Sequence, residues 1–298
     1  MTRRSLSLAG IILASAATGF AHAAASGASS GSDPGSRVGG ILTAIGFFLI
    51  LEPLVLYLTF KPWFHNPNAA VMPSPERFFH AAIYSFGAMI VTGGVLTAFF
   101  SQVDMATTPL MRFWGYNNVC VVFDSPPATY ICPVYWFFIG YLLVRYAVED
   151  TKRLMSLQAN SSMEKRLGYA LNVALVLVSA FFSLSLAIRP EDDMYGHTLP
   201  FVALMLIFPL TSLMHCWLRR GRTTLHVSFV TVYMTLSVTK VSFDLYGLST
   251  GTHVPVKFAQ PVDILWTLCA ISAPFLIPPP IDQPEVIPTM ARPMKATM

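Results

Sequence analysis

At 298 residues, with 54% hydrophobic and only 11% charged residues, the chain departs from soluble domains, where about 25% of residues are charged. The net charge of +4 comes from basic residues scattered in short segments between apolar runs, not from a patch, which excludes nucleic acid as a partner. Successive apolar runs of membrane-spanning length imply an all-α polytopic bundle in one domain, with the lipid bilayer as its main partner.

The chain opens with Arg3-Arg4, an apolar stretch from Leu6 to Phe20 and the small-x-small triplet Ala21-His22-Ala23. This pattern predicts a cleaved signal peptide over 1–23, with an organelle transit peptide as the alternative. Residues 24–40, rich in Ser, Gly and Ala, are expected to form a flexible linker. Seven apolar stretches follow, near 41–60, 79–100, 131–147, 167–188, 198–217, 226–247 and 262–279. Each is close to the length that crosses about 30 Å of hydrocarbon, which predicts a seven-helix transmembrane domain over 41–279. The prolines after Pro278 predict a disordered tail over 280–298.

Orientation follows from charge. With the N-terminus outside, the cytosolic segments carry Lys61, Arg77, Lys152, Arg153, Lys165, Arg166, Arg219, Arg220, Arg222, Arg292 and Lys295, whereas the outer ones carry Arg37, Arg112, Arg189 and Lys257. That bias obeys the positive-inside rule and places the C-terminus in the cytosol. The expected location is the membrane of a secretory pathway or a bacterial inner membrane.

Acids collect on the outer side: Asp104, Asp124, Glu191, Asp192, Asp193 and Asp263. The longest outer loop, 101–130, holds Phe113-Trp114-Gly115-Tyr116 and several prolines. It reads either as a packed lid or as an aromatic belt at the headgroups. Asp124, Asp263 and Trp114 are the expected substrate contacts on this side. Cys120 and Cys132, twelve positions apart, are expected to form a disulfide closing the loop onto the third span. No metal site and no cofactor are expected, because the histidines do not recur at i and i+4 on one helix and no C-x-x-C, H-E-x-x-H, Walker or Rossmann pattern occurs.

Two intramembrane features carry potential chemistry. Glu52 lies about 16 Å into the first span at 1.5 Å per residue. An acid at that depth is expected to be neutral unless a cation is near, and available as a catalytic proton donor. Lys240 and Asp244 stand four residues apart on the sixth span and so share one face. They are the second candidate pair, read either as a polar pocket open to the outside or as a structural ion pair, with Asp263 able to share the lysine.

Seven spans behind an outside N-terminus, and Val144-Arg145-Tyr146 at the inner end of the third, resemble G-protein-coupled receptors. However, no acid precedes Arg145, segment 190–197 has no cysteine and no N-P-x-x-Y ends the seventh span. Microbial rhodopsins carry their retinal lysine in the seventh helix, whereas Lys240 lies in the sixth. In span number and in a buried acid within a chain that is 13% aromatic, the protein resembles the small integral-membrane terpene cyclases, although no motif matches residue by residue. That resemblance implies an intramembrane enzyme that protonates a lipophilic substrate such as a prenyl chain, with aromatic faces stabilising the cation. The alternatives are a proton- or ion-coupled transporter or channel, and a non-catalytic subunit of a membrane complex.

The orientation is directly testable. A reporter fused after Met298 is expected to be active only in the cytosol, and one inserted within 101–130 only outside; the reverse pattern would invert the assignment.

Overall fold

The computed structural model describes residues 34–65, 73–156, 161–218 and 223–277. The expected signal peptide and Pro-rich tail lie outside the described residues, which contain nine helices and no strand. Seven are long: α1 (Pro34–His65), α2 (Pro75–Phe100), α5 (Ala128–Ser156), α6 (Ser162–Ala187), α7 (Met194–Leu218), α8 (Thr224–Thr250) and α9 (Val256–Leu276). Two short ones, α3 (Pro109–Trp114) and α4 (Val121–Asp124), fold the loop between α2 and α5.

Local chemistry sets the boundaries. Pro75 occupies the first turn of α2 behind Ser74, where its missing N–H costs nothing. Ser161 and Glu164 cap each other's backbone at the start of α6, as do Thr223 and His226 at α8, satisfying N–H groups that helix starts leave open. Gly251, at φ 67°, ends α8 in the left-handed conformation that glycine adopts without a Cβ clash. The first helix begins at Pro34 rather than near residue 41. Gly40 belongs to it and packs so closely that a Cβ there would lie 2.8 Å from Pro127 Cγ.

Six of the long helices are apolar enough to cross a membrane; α8 matches them in length but not in hydropathy. Its 27 residues reach about 40 Å at 1.5 Å per residue, and it packs between α7 and α9. Its polarity is hidden in two ways. Thr231, Thr235 and Ser242 turn their hydroxyls back onto the carbonyls of Val227, Thr231 and Val238 at 2.8–2.9 Å, a bond that satisfies the donor within the helix. Lys240 and Asp244 face inward and are 1% and 3% exposed.

Helices α2, α5, α6, α7, α8 and α9 pack in a ring in which α9 returns to α2, while α1 lies outside it against α2 and α5. Burial reflects this: 11% of the most apolar stretch of α1 is buried, against 67% for α2 and α7. Helix α2 lines its buried surface with Ala81, Ala82, Ser85, Gly87, Ala88, Gly93 and Gly94, the small residues that let helix backbones approach in lipid. The ring is filled by aromatic side chains in contact: Phe79 to Phe208, Phe208 to Phe86, Phe86 to Trp136, Trp136 to Phe182, Phe182 to Phe201 and Phe201 to Trp266, with centroids 4.2–6.3 Å apart, the two contacts of Phe182 tilted and the other four edge to face. Such geometry sets the positive ring edge against the negative face.

The loop between α2 and α5 is built into the end of the bundle. Thr108 caps α3 by accepting from the Met111 N–H at 3.0 Å. Val119, Cys120, Val121, Val122 and Phe123 are buried. Cys120 and Cys132 are both buried and free, so the expected disulfide is not formed. The Cys132 side chain is turned towards α2, with its Sγ 3.4 Å from the Cβ position of Gly93.

Gly93 supplies a packing test. A Cβ there would sit 2.4 Å from the Val122 carbonyl oxygen, whereas at Gly94 it would meet Val122 at an ordinary 4.0 Å. Gly93→Ala is expected to lose about 1–3 kcal/mol, the usual range for overpacking, lowering the thermal unfolding midpoint in detergent. Gly94→Ala should leave the midpoint near wild type.

Candidate functional site

The bundle has two faces, named here by their charge. The acidic face carries the α2–α5, α6–α7 and α8–α9 connections, and the basic face the others. Just inside the acidic face, Lys240 Nζ donates to both carboxylate oxygens of Asp244, at 2.8 and 2.9 Å, as the i, i+4 spacing on α8 allows. Asp263, from the first half of α9, brings Oδ1 to 3.3 Å from the same Nζ, while its Oδ2 accepts the Val119 N–H at 3.3 Å. All three side chains are buried.

One lysine thus faces two carboxylates. If all three are ionised, the cluster carries a net −1. Tyr116, from the loop, lies within electrostatic reach of Lys240, and burial raises its phenol above the ordinary tyrosine range, so it contributes a neutral hydroxyl. Trp114 is 3% exposed and lays its ring on Gly247, where a Cβ would come within 2.3 Å of the ring. Loop, α8 and α9 therefore close over the lysine together, and of the two readings of loop 101–130 the structure has the packed one.

Glu52 sits apart, where α1 meets α2. It is 3% exposed, about 20 Å from the basic end of α1 by helix rise. Its Oε2 accepts the Ser85 hydroxyl at 2.8 Å, and among the described residues no donor reaches Oε1. Tyr135 of α5 lies within electrostatic reach of both Glu52 and Cys132 and shares a 3.0 Å hydrogen bond with Thr92. Cys132 in turn feels Asp124. Asp124, Cys132, Tyr135 and Glu52 thus act on one another in succession through their fields, although among the described residues no hydrogen bond links Cys132 to either neighbour.

A third cluster, near the basic face, was missed in the sequence. Arg153 bonds to both Glu76 and Asp150. Asn172 Nδ2 donates to Asp150 Oδ2 at 3.0 Å, and the Tyr146 hydroxyl lies 2.6 Å from His215 Nε2. Tyr146, Asp150, Arg153, Asn172 and His215 border a crevice with about 10 Å³ of open space, roughly the room one water requires. The signal was present, because Tyr146, Asp150 and Arg153 stand at i, i+4 and i+7 on one face of α5; counting Arg153 only as a loop charge hid it.

Asp124 is half-buried at the end of α4, with its Oδ1 3.7 Å from His197 Nε2. Among the described residues no three His, Cys, Asp or Glu side chains converge to hold a metal ion. The structure thus unites Lys240, Asp244 and Asp263 beneath Trp114 and Tyr116, and leaves Glu52 and Asp124 in separate surroundings.

No family model, curated protein or solved structure matches the chain. Fold and site together define a multi-pass α-helical membrane protein with ionisable groups buried at several depths.

The triad has a clear energetic signature. Lys240→Met leaves Asp244 and Asp263 facing each other without a cation, and breaking a buried pair this way costs about 3–5 kcal/mol. The variant is expected to unfold at a markedly lower temperature in detergent, whereas Lys240→Met combined with Asp244→Asn and Asp263→Asn should recover much of the loss. Equal midpoints for single and triple variants would show that the charges are not coupled.

Proposed function

We propose that the protein is a proton-coupled membrane transporter in which Glu52 binds and releases the transported proton. The observation that carries this reading is the Glu52 carboxyl itself: it is buried, held by Ser85 through one oxygen and left without a donor on the other. An ionised carboxylate in that position lacks most of the hydrogen bonds that would offset its burial, so the neutral acid is the resting form. Giving up the proton requires a change of surroundings, and coupling a proton to a conformational change consists of that requirement.

Further support comes from the distribution of charge. An enzyme needs one reactive centre, whereas here ionisable groups stand near the acidic face at Lys240, Asp244 and Asp263, in the middle at Glu52, and near the basic face at Asp150, Arg153 and His215. The aromatic packing between them favours a gated carrier over an open channel. The second reading is the intramembrane enzyme, with Glu52 protonating a lipophilic substrate. It is favoured by the peripheral position of α1, which puts Glu52 at a seam next to lipid.

A pH step applied to proteoliposomes on a solid-supported membrane separates the two. Proton binding by a transporter is expected to displace charge and give a transient current that Glu52→Gln abolishes while the variant still elutes as a folded protein. Gln retains the shape and the bond to Ser85 but binds no proton. A Glu52→Gln current equal to wild type, or no wild-type current, would overturn the transporter reading; the latter leaves the enzyme.

A further inference from the structure

His197 stands one turn into α7 and is 1% exposed. The backbone fixes it from two directions. Its Nδ1 lies 2.9 Å from the Ile188 carbonyl oxygen, and its own carbonyl accepts the Ser185 hydroxyl at 2.6 Å. A carbonyl oxygen only accepts, so Nδ1 carries the hydrogen, and in the neutral ring Nε2 presents a lone pair. That lone pair points towards Asp124, whose Oδ1 is 3.7 Å away. Neither His197 Nε2 nor Asp124 Oδ2 has a hydrogen-bond partner among the described residues.

A lone pair facing a carboxylate is repulsive, and solvent relieves it only in part, because the side chains of His197 and Asp124 are 2% and 13% exposed. The remaining groups that act on it are Glu191, from the α6–α7 connection, and the thiols of Cys120 and Cys132. None of these is a cation, and among the described residues no lysine or arginine pairs with Asp124. One added proton removes the repulsion. It forms an O–H bond on the carboxyl or an N–H bond on the ring, and the two atoms, 3.7 Å apart without it, close to a hydrogen-bond distance of about 2.7–3.2 Å to share it; its release to solvent restores the carboxylate and the free lone pair.

We propose that Asp124 and His197 form a proton-binding site that holds one shared proton at the acidic face. Its role as the loading point for Glu52 rests on the transporter reading; the binding itself does not. Consistent with this, burial, reinforced by Glu191, holds the Asp124 carboxyl well above the usual carboxylate range.

Infrared difference spectroscopy of the full chain in lipid films, recorded between acid and alkaline buffers, tests the site. A protonated-carboxyl stretching band sensitive to deuterium exchange, additional to that of Glu52, is expected in wild type and absent in Asp124→Asn. His197→Gln replaces the accepting lone pair with an amide that can donate to the carboxylate, a change that favours the charged form. The band should then titrate at lower pH by about one unit, about a tenfold loss of proton affinity. A spectrum of Asp124→Asn superimposable on wild type, or a His197→Gln midpoint identical to wild type, overturns the proposal. If Asp124→Asn does not fold, the His197→Gln midpoint decides alone. The band together with absent pH-step currents would retain the site and remove only the transporter reading.

Discussion

Lys240 is the interaction on which this architecture turns. An ammonium group inside an apolar bundle is tolerable only if opposite charge surrounds it, and the carboxylates come from two places: Asp244 one turn along the same helix, and Asp263 from the next. The first is local and would exist in an isolated helix. The second fixes how α8 and α9 lie against each other, and because Asp263 also accepts the Val119 N–H, it fixes where the loop sits as well. Three segments far apart in the chain are thus positioned by one charge.

The same requirement explains why α8 can be the one long helix without a stretch apolar enough to cross a membrane and still belong to the bundle. Its hydroxyls close on its own carbonyls and its charges face the ring, leaving side chains such as Val232, Val238, Leu245 and Tyr246 at the exposed surface. Mean hydropathy counts these polar groups as cost, whereas the folded helix has already satisfied them. Orientation of side chains, not composition, decides whether such a helix is compatible with lipid.

How much of this was legible in the sequence depended on the range of the interaction. The long helices, the inward pairing of Lys240 with Asp244 and the isolation of Glu52 follow from periodicity and helical rise, which are local. The start of α1 was less legible, because the glycines near Gly40 look like a linker until Phe100 and Pro127 are seen packed on them. The Cys120–Cys132 bridge failed for a similar reason: spacing in the chain says nothing of the direction in which Cys132 points, and it points towards α2. His197 and Asp124 are 73 positions apart in the chain and could be joined only by the fold. The Tyr146, Asp150 and Arg153 face was readable in principle, since all three lie on one helix.

The aromatic core constrains any mechanism that moves charge through the bundle. Rings from Phe79 to Trp266 fill the ring of six helices, so among the described residues aromatic side chains stand between the polar groups near its two faces. Glu52 is placed differently, on the helix outside the ring, bonded to Ser85 of α2 and within electrostatic reach of Tyr135 of α5. Helix α1 has few buried residues to hold it, and elements with little buried surface are those that open at least cost. The seam between α1 and α2 is therefore the part of the structure where a carboxyl can change its surroundings without dismantling the core, and Glu52 is the acid that α1 buries there.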